Sequence, residues 1–254
     1  MKKIILSVFA TILLAACSNK NTFTVEGTLV GGENKNIYIE EIIPDEEPLF
    51  IDSLQLDDKG HFTFSHEMPY KTFYNIHVNQ FNYIVLLPSP KEKIAITGNY
   101  DNLQETYNIS GSPESILLWQ LQDYSNMGNN AVRELAERDR KNQDSLSEKQ
   151  YAIAKQETDS IFIENYRMQQ EYVGRFINEN FGSLSTLIAL YKPFNANMPL
   201  LPPETSFTYY ELVLDGLQKE LPDNPHTIHF KNTVEILRHK YEPKAQAAQF
   251  EIGG

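Results

Sequence analysis

Cysteine, positive charge and long apolar segments are all scarce in this sequence. Its single cysteine, Cys17, leaves no partner for a disulfide within the chain and no Cys-x-x-Cys pair for dithiol redox chemistry. Lysine and arginine total 22 against 34 aspartate and glutamate residues, which gives a formal net charge of -12. Phosphate backbones are bound by clustered Lys and Arg, so we expect no nucleic-acid partner.

The first apolar run, residues 4–16, is shorter than the roughly 20 residues that a transmembrane helix needs. It follows the short basic segment Met1-Lys2-Lys3 and ends in small residues, which is the layout of a secretory signal peptide. The segment Leu14-Ala15-Ala16-Cys17 resembles the lipobox of bacterial lipoproteins, whose cysteine is lipidated and becomes the mature N-terminus. An ordinary signal peptide with a chance cysteine is the alternative.

This pattern leads us to expect a membrane-anchored lipoprotein of the cell envelope, on the periplasmic side of the outer membrane. Residues 1–16 would be the signal peptide, Cys17 the lipidation site and residues 17–21 the lipidated tether. The sequence has no basic cluster beside the anchor that could bind anionic headgroups, so acyl chains would have to provide the attachment.

Residues 22–111 read as a β domain. Phe23, Val25 and Leu29 alternate with polar residues, and turn signals such as Asp57-Asp58-Lys59-Gly60 separate about eight short strands. This spacing is typical of an antiparallel β-sandwich or barrel. The segment 83–87 is apolar on both faces and predicts a central strand, while residues 105–109 predict the last strand.

Residues 112–242 read as a helical region, which makes the fold class α+β. Ser112 and Pro113 have the residue types of an N-cap and a first helical position. Residues 130–157 are highly charged and predict helices that project from the body or cover it loosely, interrupted where residues 145–148 fit a capping box. Pro243 predicts the end of the last helix, so residues 243–254 would be a linker-like tail.

Two groups of residues have types found in metal sites. His226 and His229 are three apart on a predicted helix, but no third ligand is near in sequence and HExxH is absent. Asp57-Asp58 and Asp45-Glu46-Glu47 could attract a hard cation but lack the pattern of an EF-hand loop, and solvated turn residues explain them better. We therefore predict no metal site and no cofactor.

Nucleophile and phosphate motifs are also missing. Ser112 and Ser115 do not lie in a G-x-S-x-G elbow, and the Gly31-Gly32-Glu33 segment is not a phosphate-binding loop. A pair of carboxylates distant in sequence could still hydrolyse a glycoside, although no pair stands out. We predict no catalytic residue.

Several histidine and tyrosine residues occur at the spacing of β-strands, where they could have a structural or a functional role. We expect His61, His66 and His77 to lie on sheet faces. Tyr74, Tyr83 and Tyr107 could stack on sugars, but in a sandwich such residues are more often part of the core or of cross-strand pairs.

Several short segments occur in the order of one protein family. They are Val25-Glu26-Gly27, Ile51-Asp52-Ser53, Asp58-Lys59-Gly60-His61-Phe62-Thr63-Phe64, Ile109-Ser110-Gly111-Ser112 and Glu114-Ser115. Together they resemble the β-rich domain of unknown function that precedes a thioredoxin-like domain in envelope lipoproteins grouped with thiol–disulfide oxidoreductases and peroxiredoxin-like enzymes. Residues 176–180 and Ser183-Leu184 are similar to the helical segment linking the two domains.

The resemblance implies a thioredoxin-like domain that this sequence does not contain. In that family a segment like Ile252-Gly253 leads into the first strand of the thioredoxin fold, with a Cys-x-x-Cys beyond it, whereas this sequence stops at Gly254. No residue here can take over the redox role.

The function expected from these observations is a non-enzymatic binding or positioning module, anchored by lipid in the cell envelope and recognising an envelope protein or another ligand. The alternative is the accessory half of a thiol–disulfide oxidoreductase, truncated before its catalytic domain. A hydrolase with dispersed carboxylates is the third class.

Overall fold

The computed structural model of the protein describes residues 21–195 and 198–252, with the backbone alone for residues 242–252. The strands are β1 (Thr22–Val30), β2 (Asn36–Ile42), β3 (Leu49–Gln55), β4 (His61–Glu67), β5 (Phe73–Asn79), β6 (Asn82–Leu86), β7 (Lys93–Asn99), β8 (Asn108–Ser110), β9 (Pro193–Asn195) and β10 (Met198–Pro199). The helices are α1 (Leu103–Thr106), α2 (Pro113–Ser145), α3 (Glu148–Glu179), α4 (Ser185–Leu190), α5 (Pro203–Glu220) and α6 (Pro225–Ile252).

The first eight strands form two four-stranded sheets. The outer sheet has the order β4-β1-β7-β8 and the inner sheet the order β3-β2-β5-β6. Neighbouring strands are antiparallel except β1 and β7, which run parallel and are connected through the five strands that lie between them in sequence. The predicted α+β class is confirmed, and the sandwich rather than the barrel is correct, since the described strands form no closed barrel.

The two sheets pack face to face around one apolar core. Phe23, Val25 and Leu29 of β1 point into it at every second position, and Gly27 continues the pattern where the Phe62 ring leaves no space for a Cβ atom. The inner sheet contributes alternate buried residues of β2, β5 and β6, namely Ile37, Ile39, Tyr74, Ile76, Ile84 and Leu86.

The helices cover the other face of the inner sheet and form a second core with it. Phe73 and Leu87 belong to this second core, together with apolar residues of α2, α3, α4, α5 and α6. The protein thus has three layers: the outer sheet, the inner sheet and the helices.

The layers are joined by polar contacts as well as apolar ones. The Ser112 hydroxyl caps α2 by accepting from the Ser115 amide, as predicted, and the Ser115 hydroxyl accepts from the Leu87 amide at 3.0 Å. Lys71, just before β5, forms an ion pair with Glu114 of α2. These contacts fix the start of α2 against the end of the inner sheet.

Strand β6 lies at the edge of the inner sheet, so its predicted central position is wrong. Its residues are apolar on both faces because Ile84 and Leu86 face the sandwich core while Val85 packs against the helical core. Helices α1 and α2 contact this edge strand. A strand covered by a helical layer therefore has the same pattern as a strand in the middle of a sheet.

Two other predictions differ from the structure in detail, in both cases because of local side-chain hydrogen bonds. The last strand, predicted at residues 105–109, is present but begins at Asn108 as β8, because residues 103–106 form a helical turn. In that turn Asn82 Oδ1 accepts from the Leu103 amide and the Thr106 hydroxyl donates to the Asn102 carbonyl. The predicted interruption between the charged helices is confirmed, but the capping box joins Ser147 to Gln150. Ser145 is instead the last residue of α2.

The last helix continues past the predicted stop at Pro243 to Ile252. A proline removes one backbone donor, yet the residues that follow, Lys244-Ala245-Gln246-Ala247-Ala248-Gln249, are strong helix formers. Helical propensity therefore outweighs the interruption.

Candidate ligand-binding cleft

A cleft of about 510 Å³ lies between the inner sheet and the helical layer. This volume is in the range of about 300–1,000 Å³ that is typical of sites for small organic ligands. Its lining is mostly apolar, with a few polar side chains from α2, from the end of α4 and from α6.

The sheet side of the cleft consists of strand residues that point away from the sandwich core. Ile42 ends β2, Phe73 begins β5 and Val85 lies in β6. Their neighbours Tyr74 and Ile84 are buried between the two sheets. The alternation along these strands thus supplies one apolar face to the sandwich and another to the cleft.

The helix side is formed by the C-terminal half of α4 and the first turns of α6. Leu187 and Ile188 come from α4, and Tyr191 follows that helix directly. Phe230 of α6 lies with its ring centroid 6.3 Å from that of Tyr191, in an edge-to-face arrangement. Aromatic and branched aliphatic groups therefore form both walls.

Lys192 places an ammonium group in this mainly apolar wall. Its Nζ donates a 2.6 Å hydrogen bond to Oε1 of Gln122 on α2, and no described carboxylate lies within 4.0 Å of it. Burial lowers the pKa of Lys192 to about 8, because a charged amine loses hydration there and gains no counter-ion. The backbone is held in place by bonds from the Lys192 amide to the Ala189 carbonyl and from the Leu200 amide to the Lys192 carbonyl.

His226 lies at the base of the cleft, almost fully buried beside the Phe73 ring. The Thr72 hydroxyl donates to the Ile42 carbonyl at 3.0 Å, so its 2.8 Å contact with His226 Nε2 requires Nε2 to carry the hydrogen. Burial, with a smaller effect from His229, lowers the pKa of His226 to about 4. The ring is therefore neutral at pH 7 and links α6 to the inner sheet.

Asp45, exposed in the loop after β2, is the one acidic residue among the described residues that line the cleft. His229 lies three residues after His226 and also lines the cleft. Glycoside hydrolysis requires two facing acids, and the described part of the lining places no second carboxylate opposite Asp45.

The other predicted histidine and aspartate residues lie away from the cleft and have structural roles. Asp57 Oδ1 accepts from the Lys59 and His61 amides, and these bonds, the His61 one first, lower the pKa of the Asp57 carboxyl. Gly60 has φ +76, so the predicted turn is confirmed. His66 stacks on Phe64 in β4, which confirms its position on a sheet face.

His77 of β5 also lies on a sheet face, on the side that faces away from the sandwich core. Its ring centroid is 5.5 Å from that of Tyr38 on β2, and its Nε2 is 3.4 Å from Glu40 Oε1. The residue is a cross-strand partner of Tyr38 and Tyr83.

The structure separates the three tyrosines that could have stacked on sugars. Tyr74 and Tyr107 belong to the sandwich core, where burial raises the pKa of each phenol. Tyr83 alone lines the cleft, where it is 36% exposed. Ser112 and Ser115 are fully buried and hydrogen-bonded to each other, in the capping arrangement of α2.

Sequence reasoning missed Lys192 and Gln122. Lys192 lies between the end of α4 and Pro193, and Gln122 lies within the long helix α2. Nothing in their local pattern indicates that they meet, since they are 70 positions apart. A lysine between an apolar helix and a proline was the one available signal.

The predicted lipidation site lies outside the described residues, as do the signal peptide 1–16 and tether residues 17–20. Among residues 21–195 and 198–252, no three His, Cys, Asp or Glu side chains are grouped so that they could hold a metal ion. None of the helices within those ranges combines the length and apolar character needed to cross a membrane.

The N-terminal part of the chain is similar to a known family. The model of a domain of unknown function (DUF4369) matches residues 23–118, which span both sheets and the start of α2. This match confirms the predicted N-terminal domain of unknown function, and it does not extend to an association with thioredoxin-like proteins. No curated protein and no solved structure shows significant similarity to the chain.

Proposed function

We propose that this protein is a non-enzymatic binding module that takes a small organic ligand into the cleft between its inner sheet and its helices. The cleft itself carries this proposal: about 510 Å³ of mostly apolar surface with Lys192 and Gln122 as adjacent polar groups. Concave apolar sites with a few convergent polar groups are the usual form of a ligand pocket.

Binding is favoured over hydrolysis by the residues of the cleft. Among the described lining residues Asp45 is the one acid, and it is exposed. Catalysis by paired carboxylates needs two acids on opposite sides of the scissile bond. Exposed apolar side chains on α2 and α3, Met127, Ile161 and Met168, add a surface of the kind that binds a protein partner.

The proposal includes a location in the cell envelope, with a lipid on Cys17 holding the module at the outer membrane. Its support is the sequence of the first 17 residues, a basic start, an apolar run and Leu-Ala-Ala-Cys. In a Cys17→Ala variant the protein should leave the membrane fraction. Retention equal to that of the unchanged protein would contradict the anchor.

A cleft-filling substitution tests the binding site. Ile188 lines the cleft, so Ile188→Trp should abolish the stabilisation that small apolar ligands give in a thermal-shift screen. Ile163→Trp is the matched control, because Ile163 lies exposed on α3 away from the cleft lining. Ligands that stabilise the unchanged protein and both variants equally would place binding elsewhere, and a screen without any hit would contradict the proposal.

The second candidate is the accessory part of a thiol–disulfide oxidoreductase. It rests on the resemblance of the β domain and of residues 176–180 to the segments that precede a thioredoxin-like domain. Sequencing of the gene beyond the Gly254 codon tests it: a continuing reading frame with a Cys-x-x-Cys would support this function, and unrelated sequence would contradict it.

A further inference from the structure

The Lys192 ammonium group is placed as an anion-binding group would be. It lies in the cleft wall with the neutral Gln122 oxygen as its hydrogen-bond partner, 2.6 Å away. Taking a cation out of water is costly unless an opposite charge compensates, and the cleft provides none beside it. The half-buried ammonium group of Lys192 is therefore a charge without a neighbouring counter-ion, in a wall that a ligand in the cleft can reach.

The groups around Lys192 are few and differ in charge. His226 and His229 reach the cleft from α6, Tyr83 from β6, and Tyr191 directly precedes the lysine. The exposed Asp45 is the acidic residue of the lining, on the loop after β2. Because burial keeps His226 neutral at pH 7, Lys192 is the main positive charge among the described residues that line the cleft.

A smaller recess of about 30 Å³ adjoins the lysine. Lys192, Gln122, Tyr83, Val85 and Ile188 line both this recess and the main cleft. The recess can hold about one water molecule but no organic group, so a ligand's body has to lie in the larger space. The ammonium group is thus at the inner limit of the ligand's volume.

We propose that the cleft binds a small organic monoanion, a carboxylate attached to an apolar body, with the carboxylate paired to Lys192. This inference rests on the proposed binding function and names the ligand class for it. The apolar body would lie between Val85 on the sheet side and Ile188 and Phe230 on the helix side. One cation suits one negative charge, and the net charge of -12 disfavours a more highly charged anion.

Three probes test the contributions of the charge and of the apolar body separately. Decanoate has both the charge and the apolar body, 1-decanol has the body alone, and butyrate has the charge with little body. Isothermal titration calorimetry on the purified protein should give measurable binding for decanoate. The affinity for 1-decanol should be lower by a factor of about ten or more, and butyrate should not bind.

Substitutions then identify the residue responsible. Lys192→Met should weaken decanoate binding about tenfold or more and leave 1-decanol unchanged, since it removes the charge and keeps an unbranched side chain. Lys219→Met is the control, because Lys219 is 71% exposed on α5 and should not affect either probe. Circular dichroism verifies that each variant is folded.

The outcomes distinguish this inference from the function on which it rests. Equal affinity for decanoate and 1-decanol, lost in Ile188→Trp, would keep the binding function and overturn the role of Lys192. Unchanged decanoate affinity in Lys192→Met would overturn it as well. Absence of binding by all three probes would overturn the assigned ligand class, while thermal-shift hits lost in Ile188→Trp would still support the binding function.

Discussion

Two titratable residues in the cleft, Lys192 and His226, have pKa values lowered by the same cause but with different consequences. Burial disfavours the charged form of each. His226 is neutral at pH 7 and makes a hydrogen bond to Thr72, so its burial supports the fold. Lys192 is still mostly protonated at pH 7, so its partial burial lowers stability.

His226 should make the fold sensitive to acid. Its folded pKa of about 4 lies below the unfolded value of 6.5, so the unfolded state takes up a proton first as the pH falls. The contribution of His226 to the free energy of unfolding is therefore complete above pH 6.5 and decreases as the pH falls to 4. The total loss is up to about 3 kcal/mol.

Urea unfolding between pH 7 and pH 4 measures this effect. His226→Gln should flatten the pH dependence, whereas the control His239→Gln, at an exposed position of α6, should leave the slope as it is. Parallel slopes for the protein and the His226 variant would show that this residue is not the source.

Lys192→Met should make the protein more stable at pH 7. The folded pKa of about 8 is below the ordinary 10.5, so the cost of the buried charge is complete below pH 8 and vanishes above pH 10.5. We expect a gain of about 1–2 kcal/mol in the free energy of unfolding, reduced because water reaches the cleft. Chemical denaturation at pH 7 checks it, with the exposed Lys219→Met expected to change stability by less than about 0.5 kcal/mol.

At the scale of elements, the α2–α3 hairpin differs from the rest of the helical layer. No described residue between positions 129 and 157 is buried, while the same two helices contribute Leu118, Leu121, Val173 and Phe176 to the helical core. The outer half of the hairpin is therefore held by contacts between its own two helices, such as Arg138 with Glu157.

The turn of this hairpin depends on the cap at Ser147. Its hydroxyl and backbone amide both contact Gln150, which forms the capping box of α3. Ser147→Ala should cost about 1 kcal/mol and speed amide exchange in residues 148–157. Ser145→Ala is the control, because that hydroxyl only donates back to the Lys141 carbonyl and should change exchange little. Equal exchange in both variants would contradict the role of the cap.

The sequence predicted most elements but not where they lie in the layers. The period-two pattern of β1, the turn at Gly60 and the Ser112-Pro113 start of α2 depend on residues close in sequence, and each is confirmed. The edge position of β6 could not be predicted, because burial by helices and burial by strands give the same apolar pattern. The end of α6 was missed because propensity beyond Pro243 outweighed the proline.

At the scale of the whole molecule, the cleft exists because both faces of the inner sheet pack against another layer. One face packs on the outer sheet and the other meets helices that cover it incompletely between β2, β5 and α6. Lys192 and Gln122 come together only through this packing, which is why the site could not be predicted from local sequence. The family match at residues 23–118 covers the sheet side of the cleft but not α4 or α6.

The most direct test of the account is the proton uptake that accompanies ligand binding. At pH 8 the Lys192 amine is about half protonated, and a carboxylate beside it raises its pKa, so decanoate binding should take up about half a proton. Calorimetry in two buffers of different ionisation enthalpy measures this number, which should fall to near zero at pH 6 and in Lys192→Met. Decanoate binding at pH 8 without proton uptake would contradict the account.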